Sequence, residues 1–281
     1  MSSLSTPATG GPEPLLLLLD PAARQADGES VRIAKDVLCG GADVKVVYPE
    51  STSELDRVLS HRGRRRPVVI GSDLALQRVL QALHRHRELG TDPVGMVPVG
   101  RSEDLATARA LGVPAEPVPA ARAVLSGAPR KLDLLVDDGG GVALGGVRIS
   151  GVGTRRLAGR PGGWRSLWAK LAAAEQGTVL TPEPAEHSSR IRVEADGRLL
   201  ADVHRPVRLV QVTLPSGESD GTGVMEIVVR ASGALVRARA ASVSVVGRGF
   251  GYEADGHPVG PVRARTWTVH PGAWGLLLPA A

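Results

Sequence analysis

The stretch 66-RPVVIGSDLALQRVLQAL-83 joins a predicted strand to a predicted helix through a short turn. The apolar run Pro67–Ile70 is typical of a strand that is buried on both faces. After the turn, apolar residues recur at helical spacing and predict one face of an amphipathic helix, through Leu76, Val79, Leu80 and Leu83. A strand, turn and helix in this order favour an α/β fold with a parallel sheet.

Three similar units accompany this one in the first part of the chain. Their strands are predicted at residues 14–20, 44–49 and 93–100, and their helices over Ser30–Leu38, from Ser51 onward, and over residues 102–112 with Ser102 as the N-cap. We therefore predict an α/β nucleotide-binding domain over residues 14–125. Its architecture is a Rossmann-like three-layer sandwich around a parallel sheet.

The pattern changes near Lys131, where short strands are separated by glycine-rich turns. Asp196-Gly197 and Asp255-Gly256 are dipeptides typical of β-hairpins. These features predict a β-sandwich domain over residues 126–264. One helix, around Trp164–Gln176, is predicted to interrupt it.

The chain of 281 residues has 42% hydrophobic and 22% charged residues, as globular proteins do. Its single cysteine, Cys39, excludes an internal disulfide and a cysteine zinc site, and fits a reducing cytoplasm. Residues 1–13 carry no cationic segment and the apolar run after them is short, so we expect a disordered tail and neither a signal peptide nor a membrane span. Residues 265–281 are predicted to return to the N-terminal domain.

The net charge of +5 and the pI of about 10.0 favour partners of negative charge. Basic clusters at residues 61–66 and 84–87 suit anionic lipid head groups, although solvated helix ends explain them equally well. Aromatic residues make up only 2% of the chain, and we therefore expect no nucleic acid partner that stacks bases.

Common catalytic motifs do not occur in their usual context: the sequence contains no Walker loop, no HExxH and no GxSxG elbow that joins a predicted strand to a predicted helix. No metal-ligand set is predicted. The candidate sites are three turns that follow predicted strands, at Asp20–Ala23, Gly71–Ala75 and Pro98–Ala106. Open α/β sheets bind their ligands at this edge.

Taken together, these motifs resemble the diacylglycerol kinase catalytic-domain family, which includes bacterial lipid kinases and sphingosine kinase relatives. GSDLA (71–75) stands where that family has G-G-D-G-T, and PVGRSEDLATARALGVP (98–114) is similar to its P-x-G-T-x-N-D-F-A and L-G-I-P signatures. YEADGHPVGP (252–261) resembles its D-G-E-P segment, and VDDGGGVALGGVRISGVG (136–153) resembles the strand pair that opens its sandwich. The resemblance covers residues 14–279.

The resemblance implies transfer of the ATP γ-phosphate to a lipid hydroxyl, with Mg²⁺ as a second cofactor. It implies a lipid substrate at the membrane surface and a cytoplasmic protein that is peripheral at the inner membrane face; a homodimer is compatible with it. The site residues it implies are Gly71, Ser72 and Asp73 in the phosphate loop, Gly100 and Asp104 in the second turn, and Asp255 as the catalytic base.

Several positions depart from the family's motifs. Ser72 and Leu74 replace glycines of the loop, Ala75 replaces its threonine, Asp20 replaces an asparagine, and His257 replaces the glutamate of D-G-E. Leu74 is expected to take helical backbone angles, because a left-handed conformation costs a branched residue about 1–2 kcal/mol. Two hypotheses stay open: a lipid kinase with a divergent loop, or an inactive relative that binds nucleotide, lipid or a protein partner.

Each of the three implied acids also has a simpler structural explanation. Asp73 suits the N-cap of the following helix. Asp104 suits the first turn of a helix, where the dipole favours negative charge. Asp255 suits an ordinary hairpin turn.

Overall fold

The structure is a computed structural model that describes residues 13–150, 189–215 and 222–280. The chain forms two compact units, one of Met1–Arg130 with Gly275–Ala281 and the other of Lys131–Trp274. The predicted helix around Trp164–Gln176 and nearly all of the predicted tail lie outside the described residues. No helix in the described ranges is long and apolar enough to cross a membrane.

The first unit alternates strands and helices along the chain. Its elements in sequence order are β1 (Leu15–Leu19), α1 (Pro21–Ala26), α2 (Gly28–Gly41), β2 (Val44–Val47), α3 (Thr52–Ser60), β3 (Arg66–Gly71), α4 (Asp73–Arg85), β4 (Gly95–Pro98), a 3-10 helix (Ser102–Leu105), α5 (Ala106–Ala110) and α6 (Pro117–Ser126).

The four strands form one parallel sheet in the order β2-β1-β3-β4. All five leucines of β1 are buried. Because successive side chains of a strand point to opposite faces, both faces of the sheet are covered at β1. The predicted α/β domain with a parallel sheet is confirmed.

The strand partner of Val94, just before β4, comes from the far end of the sequence. Val94 forms a parallel bridge with Leu276. Its N–H donates to the carbonyl oxygen of Gly275 at 2.7 Å, and its own carbonyl accepts from the N–H of Leu277 at 3.0 Å. Residues 275–278 therefore extend the sheet of the first unit beyond β4.

One of the two predicted N-caps is confirmed and the other is wrong. Ser51 is the N-cap of α3, and its hydroxyl oxygen accepts from the N–H of Glu54 at 3.1 Å. The predicted N-cap role of Ser102 is wrong, because the first turn closes one residue earlier, with the N–H of Asp104 donating to the carbonyl of Arg101 at 2.9 Å. The predicted apolar face of α4 is buried throughout.

The second unit is built from antiparallel strands. They are β5 (Ala128–Asp137), β6 (Val142–Ala143), β7 (Gly146–Ser150), β8 (Ile191–Ala195), β9 (Arg198–Ala201), β10 (Val207–Thr213), β11 (Met225–Ala231), β12 (Ala234–Ala240), β13 (Ser242–Ala254) and β14 (His257–Leu278), of which the first and last extend into the first unit. The pairing order is β12-β11-β10-β7-β13-β14-β5-β6, with β8 on β13 and β9 on β8. The predicted C-terminal antiparallel β domain is confirmed.

The two Asp-Gly dipeptides form hairpin turns, as predicted. Asp196 and Gly197 have φ angles of 46° and 79° between β8 and β9, and Asp255 and Gly256 have φ angles of 49° and 83° between β13 and β14. Positive φ at both central residues is the type I′ pattern that joins antiparallel strands tightly.

Candidate functional site

The C-terminal ends of β1, β3 and β4 meet at one edge of the parallel sheet. The N–H of Asp20, after β1, donates to the carbonyl of Ile70 at 3.0 Å, and the N–H of Val99, after β4, donates to the carbonyl of Gly71 at 3.0 Å. The three candidate turns are therefore neighbours. This edge is where ligands of open α/β sheets bind.

The turn after β3 packs closely against Asp20. The Ser72 hydroxyl donates to Oδ2 of Asp20 at 3.0 Å, and its oxygen accepts from the N–H of Ala75 at 3.4 Å as the N-cap of α4. A Cβ atom added to Gly71 would lie 2.5 Å from the Cβ of Asp20. Position 71 therefore needs glycine, because the side chain of Asp20 lies against its backbone. The space that a Cβ would take is occupied by Asp20 and is not open to a ligand.

Asp73 is buried and its carboxylate is bonded to the backbone of a different helix. Oδ2 accepts from the N–H of Thr107 at 2.6 Å, and Oδ1 accepts from the N–H of Ala108 at 2.9 Å, in the first turn of α5. The expectation that Asp73 caps its own helix is wrong, because Ser72 holds that position. Leu74 lies within α4, as predicted.

The second turn contains a small surface charge cluster. Gly100 has a φ of 152°, a conformation that favours glycine. Arg101 is exposed and forms ion pairs with Asp104 at 3.1 Å and Glu103 at 3.4 Å. Both acids lie in the first turn of the 3-10 helix, which agrees with the simpler explanation of Asp104. Exposed ion pairs of this kind contribute about 0–1 kcal/mol to stability.

Asp255 lies in the second unit and is bonded to three consecutive backbone amides. Its carboxylate accepts from the N–H groups of Leu144 at 2.7 Å, Gly145 at 2.8 Å and Gly146 at 3.0 Å. Burial raises the pKa of the Asp255 carboxyl, while the three amide donors oppose that rise. In this arrangement Asp255 joins the β13–β14 turn to the start of β7.

A polar cluster in the same unit was missed by sequence reasoning. The Tyr252 hydroxyl donates to Oδ2 of Asp137 at 2.9 Å, and Oδ1 of Asp137 accepts from the N–H groups of Gly139 and Gly141 at 2.8 and 2.9 Å. An aspartate before a glycine-rich turn is the available signal, since such side chains commonly bond the backbone ahead of them. In this arrangement Asp137 closes the turn at residues 137–141.

The residues at 71–75 do not fit the phosphate group of ATP that the resemblance implies. A phosphate cradle needs backbone N–H groups that face open space and residues that tolerate positive φ. Here the side chain of Asp20 occupies the space beside Gly71, and the Ser72 hydroxyl caps α4. The Asp73 carboxylate accepts from the backbone of α5. Within the described ranges, no group of three histidine, cysteine, aspartate or glutamate side chains is placed to hold a metal ion.

Three solved structures from Bacillus anthracis strain Sterne have the same fold. One, described as a candidate diacylglycerol kinase, is 14% identical with a TM-score of 0.73 and covers 98% of each chain. A second with that description is 16% identical with a TM-score of 0.70, and a third, described as a diacylglycerol kinase, is 15% identical with a TM-score of 0.71; each covers 95% of this chain and 97% of its own. No family model and no curated protein matches the sequence. The likeness establishes the diacylglycerol kinase fold.

Proposed function

We propose that this chain is a relative of the diacylglycerol kinases that binds lipid but does not phosphorylate it. The bonding of Asp73 carries the proposal: both of its oxygens accept backbone N–H groups of α5, and the residues after it continue directly as α4. Phosphoryl transfer depends on positioning and on electrostatic stabilisation of the phosphates. At this loop the Ser72 hydroxyl and the Asp73 carboxylate already accept backbone N–H groups at the starts of α4 and α5, so fewer donors are left for a phosphate.

Opening the loop for a phosphate has several costs that act together. Ser72 would give up a capping bond, which is typically worth ~1 kcal/mol. Leu74 would enter the left-handed region at about 1–2 kcal/mol. Ala75 has no hydroxyl to donate, and the loss of one well-placed donor lowers a rate by roughly 10²–10³.

Lipid as the ligand is supported by the fold and by the charge of the chain. The three similar structures are described as diacylglycerol kinases, and the net charge of +5 attracts anionic head groups. We propose that the protein is cytoplasmic and binds peripherally at the inner membrane face.

An ATP-dependent lipid kinase with a divergent loop is the second candidate. It is favoured by five residues that stand at motif positions of the family: Gly71, Asp73, Gly100, Asp104 and Asp255. In this case ATP and Mg²⁺ would be the cofactors and Asp255 the base.

A lipid phosphorylation assay separates the two candidates. The purified chain is incubated with Mg²⁺, radiolabelled ATP and diacylglycerol in mixed vesicles, beside the Asp255→Asn variant and the Leu74→Gly/Ala75→Thr double variant. We expect no labelled lipid from the parent chain. Labelled lipid from the parent that disappears in Asp255→Asn would overturn the proposal and establish the kinase. Co-sedimentation with the same vesicles tests lipid binding directly.

A further inference from the structure

One carboxylate is shared by the starts of two helices. Oδ1 of Asp20 accepts from the N–H of Ala22 at 3.0 Å and caps α1, while Oδ2 accepts from the hydroxyl of Ser72, the N-cap of α4, at 3.0 Å. Both oxygens are therefore directed at helix N-termini, where the backbone dipoles favour negative charge.

The position of Asp20 is fixed by the turn it faces. A Cβ atom on Gly71 would lie 2.5 Å from the Cβ of Asp20, 3.2 Å from its Oδ2 and 3.3 Å from the Cβ of Ala75. The backbone of Asp20 is also held, because its N–H donates to the carbonyl of Ile70 at 3.0 Å. The side chain of Asp20 therefore occupies the space beside Gly71.

A phosphate that approached this turn would meet a negative charge at the place where helix N-termini usually bind anions. We infer that Asp20 acts as an internal anion at the start of α4 and that its contact with Ser72 keeps nucleotide phosphates out. The inference rests on the proposed function, since it gives the reason why a chain with the diacylglycerol kinase fold takes no phosphate at residues 71–75.

Asp20→Asn is the decisive variant, because it removes the charge and keeps an oxygen that can accept from Ala22. Asp27→Asn is the matched control: Asp27 caps α2 by accepting from the N–H of Ser30 at 3.0 Å, and the net charge changes equally. Asp20→Ser is a second test variant, since serine is also a preferred N-cap.

The measurement is isothermal titration of each protein with Mg²⁺-ATP and, separately, with inorganic pyrophosphate. We expect saturable binding of both anions by Asp20→Asn and Asp20→Ser, at least about tenfold tighter than by the parent or Asp27→Asn, which corresponds to ~1.4 kcal/mol. Thermal melts of the free proteins establish that each variant is folded.

The outcomes separate this inference from the proposed function. No gain in affinity for either Asp20 variant overturns the inference and leaves the proposed function standing. Labelled lipid made by the parent in the phosphorylation assay overturns the proposed function, whatever the titrations give. If Asp27→Asn also bound the anions more tightly, and by the same factor, the change in net charge alone would explain the effect. That result would overturn the inference as well.

Discussion

The carboxylate of Asp73 accepts a hydrogen bond from the backbone N–H of Thr107 at 2.6 Å, across 34 positions of sequence. A second bond, to the N–H of Ala108, completes the contact. Because α5 has only five residues, it is far too short to be stable alone. The carboxylate at the start of α4 therefore helps to hold the first turn of α5 in place.

Asp73→Ala is expected to lower the free energy of unfolding by about 2–3 kcal/mol, because two backbone donors lose their acceptor. Asp104→Ala is the control, since it removes an acid whose ion pair, among the described residues, is with exposed Arg101, and its effect should stay within about 1 kcal/mol. Urea unfolding followed by circular dichroism measures both. Equal effects of the two variants would show that the Asp73 contact does not contribute to stability.

Gly71→Ala is expected to destabilise the first unit by about 1–3 kcal/mol, because the new methyl group would overlap the side chain of Asp20. Gly28→Ala is the matched control: it lies in the first turn of α2, and nothing lies within 4 Å of its added Cβ. The control should be neutral or stabilising by up to ~1 kcal/mol. A neutral Gly71→Ala in the same urea experiment would contradict the close packing described for this turn.

Asp255→Ala is expected to destabilise the chain more than Asp196→Ala. Both residues hold positive φ in a hairpin turn, so the backbone cost of alanine is similar and cancels in the comparison. Asp255 accepts from three amides in a part-buried site, whereas Asp196 accepts from two exposed ones, those of Ala241 and Ser242.

The difference between these two variants should reach about 1–3 kcal/mol, the cost of leaving a buried donor unpaired. Thermal or urea unfolding provides the measurement. If Asp196→Ala were the more damaging change, the three amide bonds of Asp255 would carry less stability than their geometry indicates.

Tyr252 should ionise only at unusually high pH. Burial, and then its hydrogen bond to Asp137, raise the pKa of the phenol above its ordinary value near 10. Because the folded-state pKa is the higher one, the stabilisation is complete below about pH 10 and is lost as the pH rises toward the folded value. The chain should therefore unfold more readily at strongly alkaline pH.

Absorbance at 295 nm tests this in the Tyr48→Phe variant, in which Tyr252 is the only tyrosine left. We expect the folded variant to titrate well above the same variant in urea. In Tyr252→Phe the loss of stability above pH 10 should be smaller. Coincident titration curves in the folded and urea-unfolded states would refute the raised pKa.

Local patterns were enough to predict the parts of the fold that depend on local chemistry. The apolar spacing from Leu76 to Leu83 predicted the buried face of α4, and Ser51 predicted the start of α3. The two Asp-Gly turns were equally clear, because few residues tolerate positive φ. In each case a local feature of the sequence carries the signal: the apolar spacing, the capping side chain or the turn residue itself.

The candidate site could not be predicted to the same depth, because its contacts are distant in sequence. Nothing near Asp73 indicates that its partners are Thr107 and Ala108, and nothing near Asp20 indicates that it bonds Ser72. Sequence order placed these turns on one edge of the sheet. Which side chain occupies which space depends on tertiary packing.

The bridge between Val94 and Leu276 has a consequence for synthesis on the ribosome. The first unit is made early, yet the strand that extends its sheet beyond β4 is translated only after the whole of the second unit. Until residues 275–278 emerge, the backbone groups of Val94 that bond them stay unpaired, and unpaired strand edges are prone to aggregation in partly made chains. The contacts of residues 275–278 with Val94 can therefore form only at the end of synthesis, although they complete the sheet whose other strands are made first.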